Sequence, residues 1–153
     1  MVKEAYDKLR KQFNDLPEFN LLNNEFEISS IEKEDFLLRQ IRRRTTERVE
    51  TILKLADEFL HPGAETFTSF YECSCFDEAE KKALLEIFKN MMTLYRGLVE
   101  ADVLQNDAND VKIIKEVCTN LPDLRKRLTP YVTKVKDHWT HLKQKNELQG
   151  YMG

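Results

Sequence analysis

The chain has 153 residues, of which 41% are hydrophobic and 33% charged, with four glycines, four prolines and a formal net charge of −3. This composition suits a soluble, helix-rich protein better than a disordered or all-β one. The small negative charge gives no global electrostatic case for nucleic-acid binding. The chain shows no signal-peptide pattern, and no apolar run approaches the ~18 residues of a membrane span. We therefore expect a cytoplasmic protein with reduced thiols and without a membrane span.

The first elements in chain order are a short helix and an irregular connection. Apolar residues at helical spacing from Val2 to Phe13 predict an amphipathic helix that ends before Pro17, because proline disfavours helical geometry in the residue before it. From Pro17 to Ile28 no clean period is visible. This stretch predicts an ordered connection that docks through its aromatic residues, with a short strand at residues 26–28 as the alternative.

A long helix is predicted from about residue 30 to residue 60. Its apolar stripe recurs at steps of three or four, the spacing of one helix face: Leu38, Ile41, Thr45, Val49, Ile52, Ala56 and Phe59. Ser29 or Ser30 would cap its start, with Glu32 completing a capping box. Pro62 and Gly63 would end it.

An aromatic-rich connection, residues 64–76, follows, and its pattern fits a helix and an extended segment equally well. Asp77 and Glu80 form a capping box that predicts a helix through about Leu104. Gly97 inside this helix predicts a close approach by another helix, because a glycine there otherwise costs about 1 kcal/mol.

The last third of the chain is also predicted to be helical. The polar turn from Gln105 to Asp110 offers Asp107 or Asn109 as a cap, and Pro122 suits the first turn of a final helix. At Pro130 the unbroken apolar stripe favours a kink over a fresh helix capped by Thr129. We expect residues 149–153 to fray.

Two basic patterns are candidates for binding a partner or phosphates. The first is the arginine run of the long helix, in which Arg44 and Arg48 lie at the edge of the apolar stripe and must extend to solvent or find a carboxylate on a neighbouring helix. The second is the stretch from Arg125 to Lys145, where seven basic residues face one acid, Asp137. A basic amphipathic helix can meet nucleic acid, an anionic membrane or an acidic partner, or it can pair with acids of its own chain. The possible contacts are Arg125, Arg127, Lys134, Lys136, Lys143, Arg44 and Arg48.

Motifs for catalysis, cofactors or metals are weak in this sequence. His138 and His141 stand three residues apart, but a structural histidine is the commoner outcome beside Trp139. Cys73 and Cys75 lack the further Cys or His ligands of a zinc set, which favours small buried side chains. We find no phosphate-binding or nucleophile motif, and we predict no catalytic residue, cofactor, metal or small-molecule substrate.

The arginine run Arg39-x-x-Arg-Arg-Arg-x-x-x-Arg-Val-Glu50, the acidic cap at Asp77–Glu80 and the helix end at Val103-Leu104 loosely resemble the helical domain of the GINS replication subunits. The resemblance covers about residues 33–104, half of the chain. The small β-domain that this family usually carries has no counterpart here, because the last third of the sequence is predicted to be helical. No residue role is carried over from it.

The sequence thus predicts an all-α fold, a single-domain bundle of four to five helices over residues 1–148. We expect a non-enzymatic intracellular protein-interaction module or assembly subunit, with a protein partner or a homo-oligomer. The alternative is a nucleic-acid-associated protein that binds phosphates through its basic C-terminal helix.

Overall fold

The computed structural model describes residues 1–61 and 66–142. Over these ranges the chain is helical without any strand, which confirms the all-α fold class. No helix in these ranges is both long enough and apolar enough to cross a bilayer. The helices in chain order are α1 (Val2–Gln12), α2 (Phe19–Phe26), α3 (Leu37–Leu60), α4 (Phe67–Cys73), α5 (Glu78–Leu104) and α6 (Asp107–Thr140).

The chain divides into two compact units. Unit 1 combines Met1–Thr51 with Met91–Pro122, and unit 2 combines the described residues of Ile52–Asn90 and Asp123–Gly153. The prediction of a single domain over 1–148 therefore stays a prediction. Residues 149–153, predicted to fray, lie outside the described ranges.

Each unit has its own set of buried apolar side chains. Those of unit 1 include Tyr6, Leu16, Leu22, Phe26, Ile28, Leu38, Ile41, Val49, Met91, Leu98, Ile114, Val117 and Leu121. Those of unit 2 include Ile52, Ala56, Phe59, Tyr71, Phe76, Leu84, Ile87, Leu124, Leu128 and Val135. The stripes of α3, α5 and α6 thus supply most of both sets, as their spacing predicts.

The first helix lies where the sequence predicts it, but the prediction for the connection after it is wrong in part. Residues 19–26 form α2, with Leu22 and Phe26 buried, rather than an irregular segment or a strand. A hydrogen bond from the Tyr6 hydroxyl to the carbonyl of Pro17, at 2.6 Å, joins α1 to the chain that leads into α2.

The long helix begins at Leu37, seven residues later than about residue 30. Ser29 and Ser30 lie instead in a 3₁₀ turn, Ile28–Ser30. Local polar contacts stabilise that turn: the Asn23 side chain accepts from the Ser29 amide at 2.8 Å, and the Ser30 hydroxyl donates to the Glu27 carbonyl at 2.7 Å. Such side-chain-to-backbone bonds compete with helix formation, so the paired serines do not cap α3. Pro62 and Gly63, predicted to end it, lie outside the described residues.

The structure resolves the aromatic-rich connection as helical over part of its length. Residues 67–73 form α4, capped by Thr66, whose hydroxyl accepts from the amide of Ser69. The capping box before α5 is confirmed, because the amide of Glu80 donates to Asp77 at 2.8 Å and the amide of Asp77 donates to Glu80 at 3.2 Å.

Helix α6 corrects two predictions. The residue that caps it is Asn106, whose side chain accepts from the amide of Asn109 at 2.9 Å, and neither Asp107 nor Asn109 is the cap. The helix then runs without a break from Asp107 to Thr140, through Pro122 and Pro130. No separate helix begins at Pro122, and no fresh helix begins at Pro130.

The close approach predicted at Gly97 is confirmed within unit 1. A Cβ atom placed on Gly97 would lie 2.7 Å from Cδ1 of Ile113, so α5 and α6 meet here with room for hydrogen only. Glycine at this position therefore serves packing and not chain flexibility.

Candidate functional site

A buried ion pair links α3 to α6 inside unit 1. The Nε of Arg42 lies 2.7 Å from Oδ1 of Asp110, and the two side chains are 2% and 0% exposed. The guanidinium also reaches Asp102 on α5, with Nη1 2.5 Å from Oδ1. The Asp102 carboxylate is 60% exposed. One arginine thus pairs with a buried carboxylate and a solvated one at the same time.

The two carboxylates respond in opposite directions to this arrangement. Burial raises the pKa of Asp110 above its ordinary value, and the Arg42 charge opposes that rise without cancelling it. At Asp102 the hydrogen bond from Arg42 lowers the pKa, because this carboxylate keeps its contact with water. The site therefore holds one carboxylate that ionises easily and one that ionises reluctantly.

An open groove of about 550 Å³ lies at the same end of unit 1. Arg39 and Asp107, on its wall, each precede a member of the buried pair by three residues, which is about one helical turn. The groove is lined by Ala5, Lys8, Leu9, Glu34, Phe36, Leu37, Leu38, Arg39 and Asp107. Helices α1 and α3, the chain entering α3 and the first residue of α6 thus all contribute to it.

Phe36 is the most unusual residue of this groove. Its side chain is 72% exposed, and its backbone has φ 54°, in the left-handed region. A bulky residue is rarely found there, because its Cβ crowds the following carbonyl at a cost of roughly 1–2 kcal/mol. The Phe36 carbonyl accepts the Gln40 amide at 3.1 Å, so this residue directly precedes the first turn of α3.

The charges around the groove are balanced. Lys8 and Arg39 carry positive charge, and Glu34 and Asp107 carry negative charge. The Arg39 guanidinium lies 5.1 Å from the centre of the Phe36 ring, within cation–π range. Glu34 contacts the amino-terminal ammonium group at 2.8 Å and keeps 48% of its side chain exposed. Neither sign of charge dominates this surface.

More exposed apolar surface lies at the carboxyl-terminal end of α5. Val103 is 77% exposed and Leu104 49%. Leu104 precedes Asp107 by three residues, so the two Cα atoms are at most about 11 Å apart. Gln105 between them is also left-handed, with φ 48°. The end of α5 therefore exposes two apolar side chains within a few residues of the groove residue Asp107.

The arginines predicted on α3 are only partly engaged. The Arg48 Nε lies 3.5 Å from Glu25 on α2, which confirms the expectation of a carboxylate on a neighbouring helix. Arg44 lines two shallow depressions, and Glu47 lines both of them as well. The acids in these depressions leave no strongly positive surface for a phosphate.

The basic residues predicted as contacts on the last helix have different surroundings. Lys134 pairs with Glu80 at 2.5 Å, which raises the pKa of the lysine, and Arg127 lies 3.8 Å from Asp123. Lys136 is exposed and Arg125 is half-buried. Lys143 lies outside the described residues. Lys134 and Arg127 thus follow the intramolecular alternative and do not form one open surface.

The cysteines and histidines have structural surroundings. The Cys73 thiol donates to the carbonyl of Glu58 at 3.2 Å. Burial raises the pKa of all three thiols, Cys73, Cys75 and Cys118, which disfavours the reactive thiolate. The His138 ring stacks on Tyr71 with centres 4.1 Å apart. Over residues 1–61 and 66–142, no group of three or more His, Cys, Asp or Glu side chains is arranged to hold a metal ion.

Sequence reasoning missed Arg42, Asp110 and Phe36. A usable signal for the pair existed: Arg42 follows Leu38 by four residues, and Asp110 precedes Ile114 by four, so both fall on apolar stripes. Opposite charges on the stripes of two helices indicate a buried ion pair. The exposure and left-handed backbone of Phe36 have no comparable signal in the sequence.

Comparisons of this chain with protein-family models, with curated proteins and with solved structures found no match. The resemblance to the GINS helical domain therefore has no support beyond the residues that suggested it.

Proposed function

We propose that this chain is a non-enzymatic, intracellular protein-interaction module whose contact surface is the Phe36 groove. The groove is lined by apolar side chains and by four charged ones, the mixture found where proteins bind one another. This mixture supports recognition of a protein partner as the role of the groove.

The observation that carries the proposal is the state of Phe36. A phenylalanine that is 72% exposed gains little from burial, and its left-handed backbone adds a cost. Insertion of the ring into a protein partner would bury its apolar surface, and the free energy gained would offset the cost of the left-handed backbone. Aromatic side chains contribute much of the binding free energy at protein interfaces.

A crosslinking experiment tests this function. A photoreactive benzoylphenylalanine at position 36, installed in the full chain in the cell, is expected to form covalent adducts with protein upon illumination. The matched control places the same group at Leu21, which is 58% exposed on α2 and does not line the groove. Adducts at position 36 and none at position 21 support the module. Equal yields at both positions, or none at position 36, contradict it.

Phosphate binding through α6 is the second candidate, supported by the exposed Lys126 and Lys136. Its test is the affinity for duplex and single-stranded DNA as salt is raised, since each neutralised phosphate steepens the fall of log K. With few cations open on this helix, we expect weak binding with a shallow slope. Absence of binding at low salt removes this candidate.

A further inference from the structure

We propose that the partner of the Phe36 groove is a second copy of this chain, joined about a two-fold axis by reciprocal insertion of Phe36. This inference rests on the proposed function, because it names the partner of the same surface. It requires that one patch carry both the projecting group and the groove that receives it. In a two-fold interface the same residues of both copies meet, so the patch must be complementary to itself.

The shape of the patch meets that requirement. Phe36 projects from the wall of the groove that it lines, with 72% of its surface exposed. The groove beside it has a volume of about 550 Å³, and its apolar contributors include Leu9, Leu37 and Leu38. A volume of a few hundred Å³ accommodates a small-molecule-sized group such as one aromatic side chain. A groove of this size can therefore receive the Phe36 ring of a second copy.

The charges of the patch are complementary to themselves as well. The walls carry two cations, Lys8 and Arg39, and two anions, Glu34 and Asp107. A strongly acidic or basic partner would meet like charges on half of these positions. A copy turned by a two-fold axis presents equal numbers of both signs, so each cation can face an anion of the other copy. Complementary potentials of this kind favour the encounter and fix its orientation.

The area required extends the interface beyond the groove. An aromatic side chain buries roughly 150–250 Å², and a stable interface takes about 800 Å² from each partner. Phe36 alone thus supplies only a minor part. The end of α5, a few residues before Asp107, supplies two further exposed apolar side chains, Val103 and Leu104. We expect association that depends on concentration, with Phe36 as its central anchor.

Sedimentation equilibrium of the purified full chain tests the inference. The wild-type protein should move from the monomer mass to twice that mass as its concentration rises. Phe36→Ala should weaken the association by about thirtyfold, the loss typical of a central interface aromatic. Leu21→Ala is the matched control and should leave the association unchanged. A wild-type chain that stays monomeric up to millimolar concentration overturns the inference.

A mixing experiment separates reciprocal insertion from simple stacking of two faces. Phe36→Ala removes the ring that inserts and leaves the other lining residues of the groove, whereas Ala5→Gln obstructs the groove with a longer side chain and leaves the ring. Each variant alone lacks both insertions and should be monomeric. An equimolar mixture restores one insertion, from the Ala5→Gln copy into the Phe36→Ala copy, and should form heterodimers. If the mixture is as monomeric as its components, reciprocal insertion is wrong; circular dichroism verifies that both variants are folded.

The two proposals fail in different ways. Crosslinks from position 36 to a different protein, together with a monomeric purified chain, overturn the second-copy inference and leave the interaction module intact. Absence of any crosslink at position 36 overturns the module. A crosslinked adduct with twice the mass of the chain supports both.

Discussion

The Oδ1 atom of Asp110 lies 2.7 Å from the Nε atom of Arg42, and neither side chain is more than 2% exposed. Burying a carboxylate and a guanidinium costs several kcal/mol per ion, and close pairing offsets only part of that cost, because the pKa of Asp110 stays raised. Because the groove residues Arg39 and Asp107 lie about one helical turn before this pair, its geometry positions the groove wall. The ion pair therefore holds in place the helical turns of α3 and α6 that carry these two groove residues.

Replacing Arg42 alone should be strongly destabilising. In Arg42→Met the carboxylate of Asp110 stays buried without its cation, and we expect the free energy of unfolding to fall by about 3–5 kcal/mol in chemical denaturation. The loss should shrink as pH is lowered. Without Arg42 the already raised pKa of Asp110 rises further, so protonation in acid removes the uncompensated charge.

The double variant Arg42→Met with Asp110→Leu tests the cause of that loss. It removes both charges, so it should be clearly more stable than Arg42→Met, within about 1–2 kcal/mol of the wild type. Arg43→Met, at the exposed neighbouring position, is the control and should change stability by no more than about 0.5 kcal/mol. A double variant as unstable as the single one would show that the charge of Asp110 is not the source.

Glycine at position 36 should be more stable than alanine there. The φ of 54° at Phe36 strains any residue with a Cβ, and relief of that strain is worth roughly 1–2 kcal/mol. The greater freedom of glycine in the unfolded chain returns part of this gain. We expect Phe36→Gly to exceed Phe36→Ala by about 1 kcal/mol in free energy of unfolding. The opposite order would mean that the left-handed geometry carries no cost.

The contact of Gly97 with Ile113 predicts a coupling between these positions. Gly97→Ala places a methyl group 2.7 Å from Cδ1 of a buried isoleucine, and such overpacking typically costs 1–3 kcal/mol. Ile113→Val removes that atom and should itself cost about 1 kcal/mol. In a double-mutant cycle the pair should be more stable than the sum of the single effects by at least about 1 kcal/mol. Simple additivity would contradict the contact.

The hydroxyl of Tyr6 predicts a loss of stability in alkali. Burial raises the pKa of this phenol well above its ordinary value, so the unfolded chain ionises near pH 10 while the folded chain stays neutral. The stabilising contribution is complete below pH 10 and is lost as the pH rises toward the folded pKa. Tyr6→Phe should lack this alkaline decline and should lose about 1 kcal/mol at neutral pH with the bond to Pro17. An unchanged alkaline profile would exclude Tyr6 as its source.

Periodicity predicted the long helices well, and capping chemistry located the start of one of them, α5. The box of Asp77 and Glu80 placed the start of α5, and the apolar stripes of α3 and α6 gave the buried faces. The predicted start of α3 was wrong because local hydrogen bonds compete with helix formation there. The side chains of Asn23 and Ser30 stabilise a 3₁₀ turn where the helix was expected to begin. At Pro122, α6 continues through a residue that lacks the backbone donor of an ordinary helical position, so the expected boundary does not exist.

The candidate site was harder to predict because its features are tertiary. Pattern reasoning assigns charges to solvent, so Arg42 and Asp110 were overlooked although both fall on apolar stripes. The cations of α6 were predicted to meet either a partner or the chain's own acids, and Lys134 meets Glu80. The exposure of Phe36 depends on how α1 and α3 pack, which no local spacing encodes.

The suppressed thiolates of the three cysteines make them reporters of structural opening. Cys118 belongs to unit 1, and Cys73 and Cys75 belong to unit 2. An alkylating reagent attacks a thiolate that it can reach, so its rate of capture at each position would register how often the surrounding helices separate. Mass spectrometry after a brief labelling pulse would measure the rate of local opening separately for the two units, without any substitution in the chain.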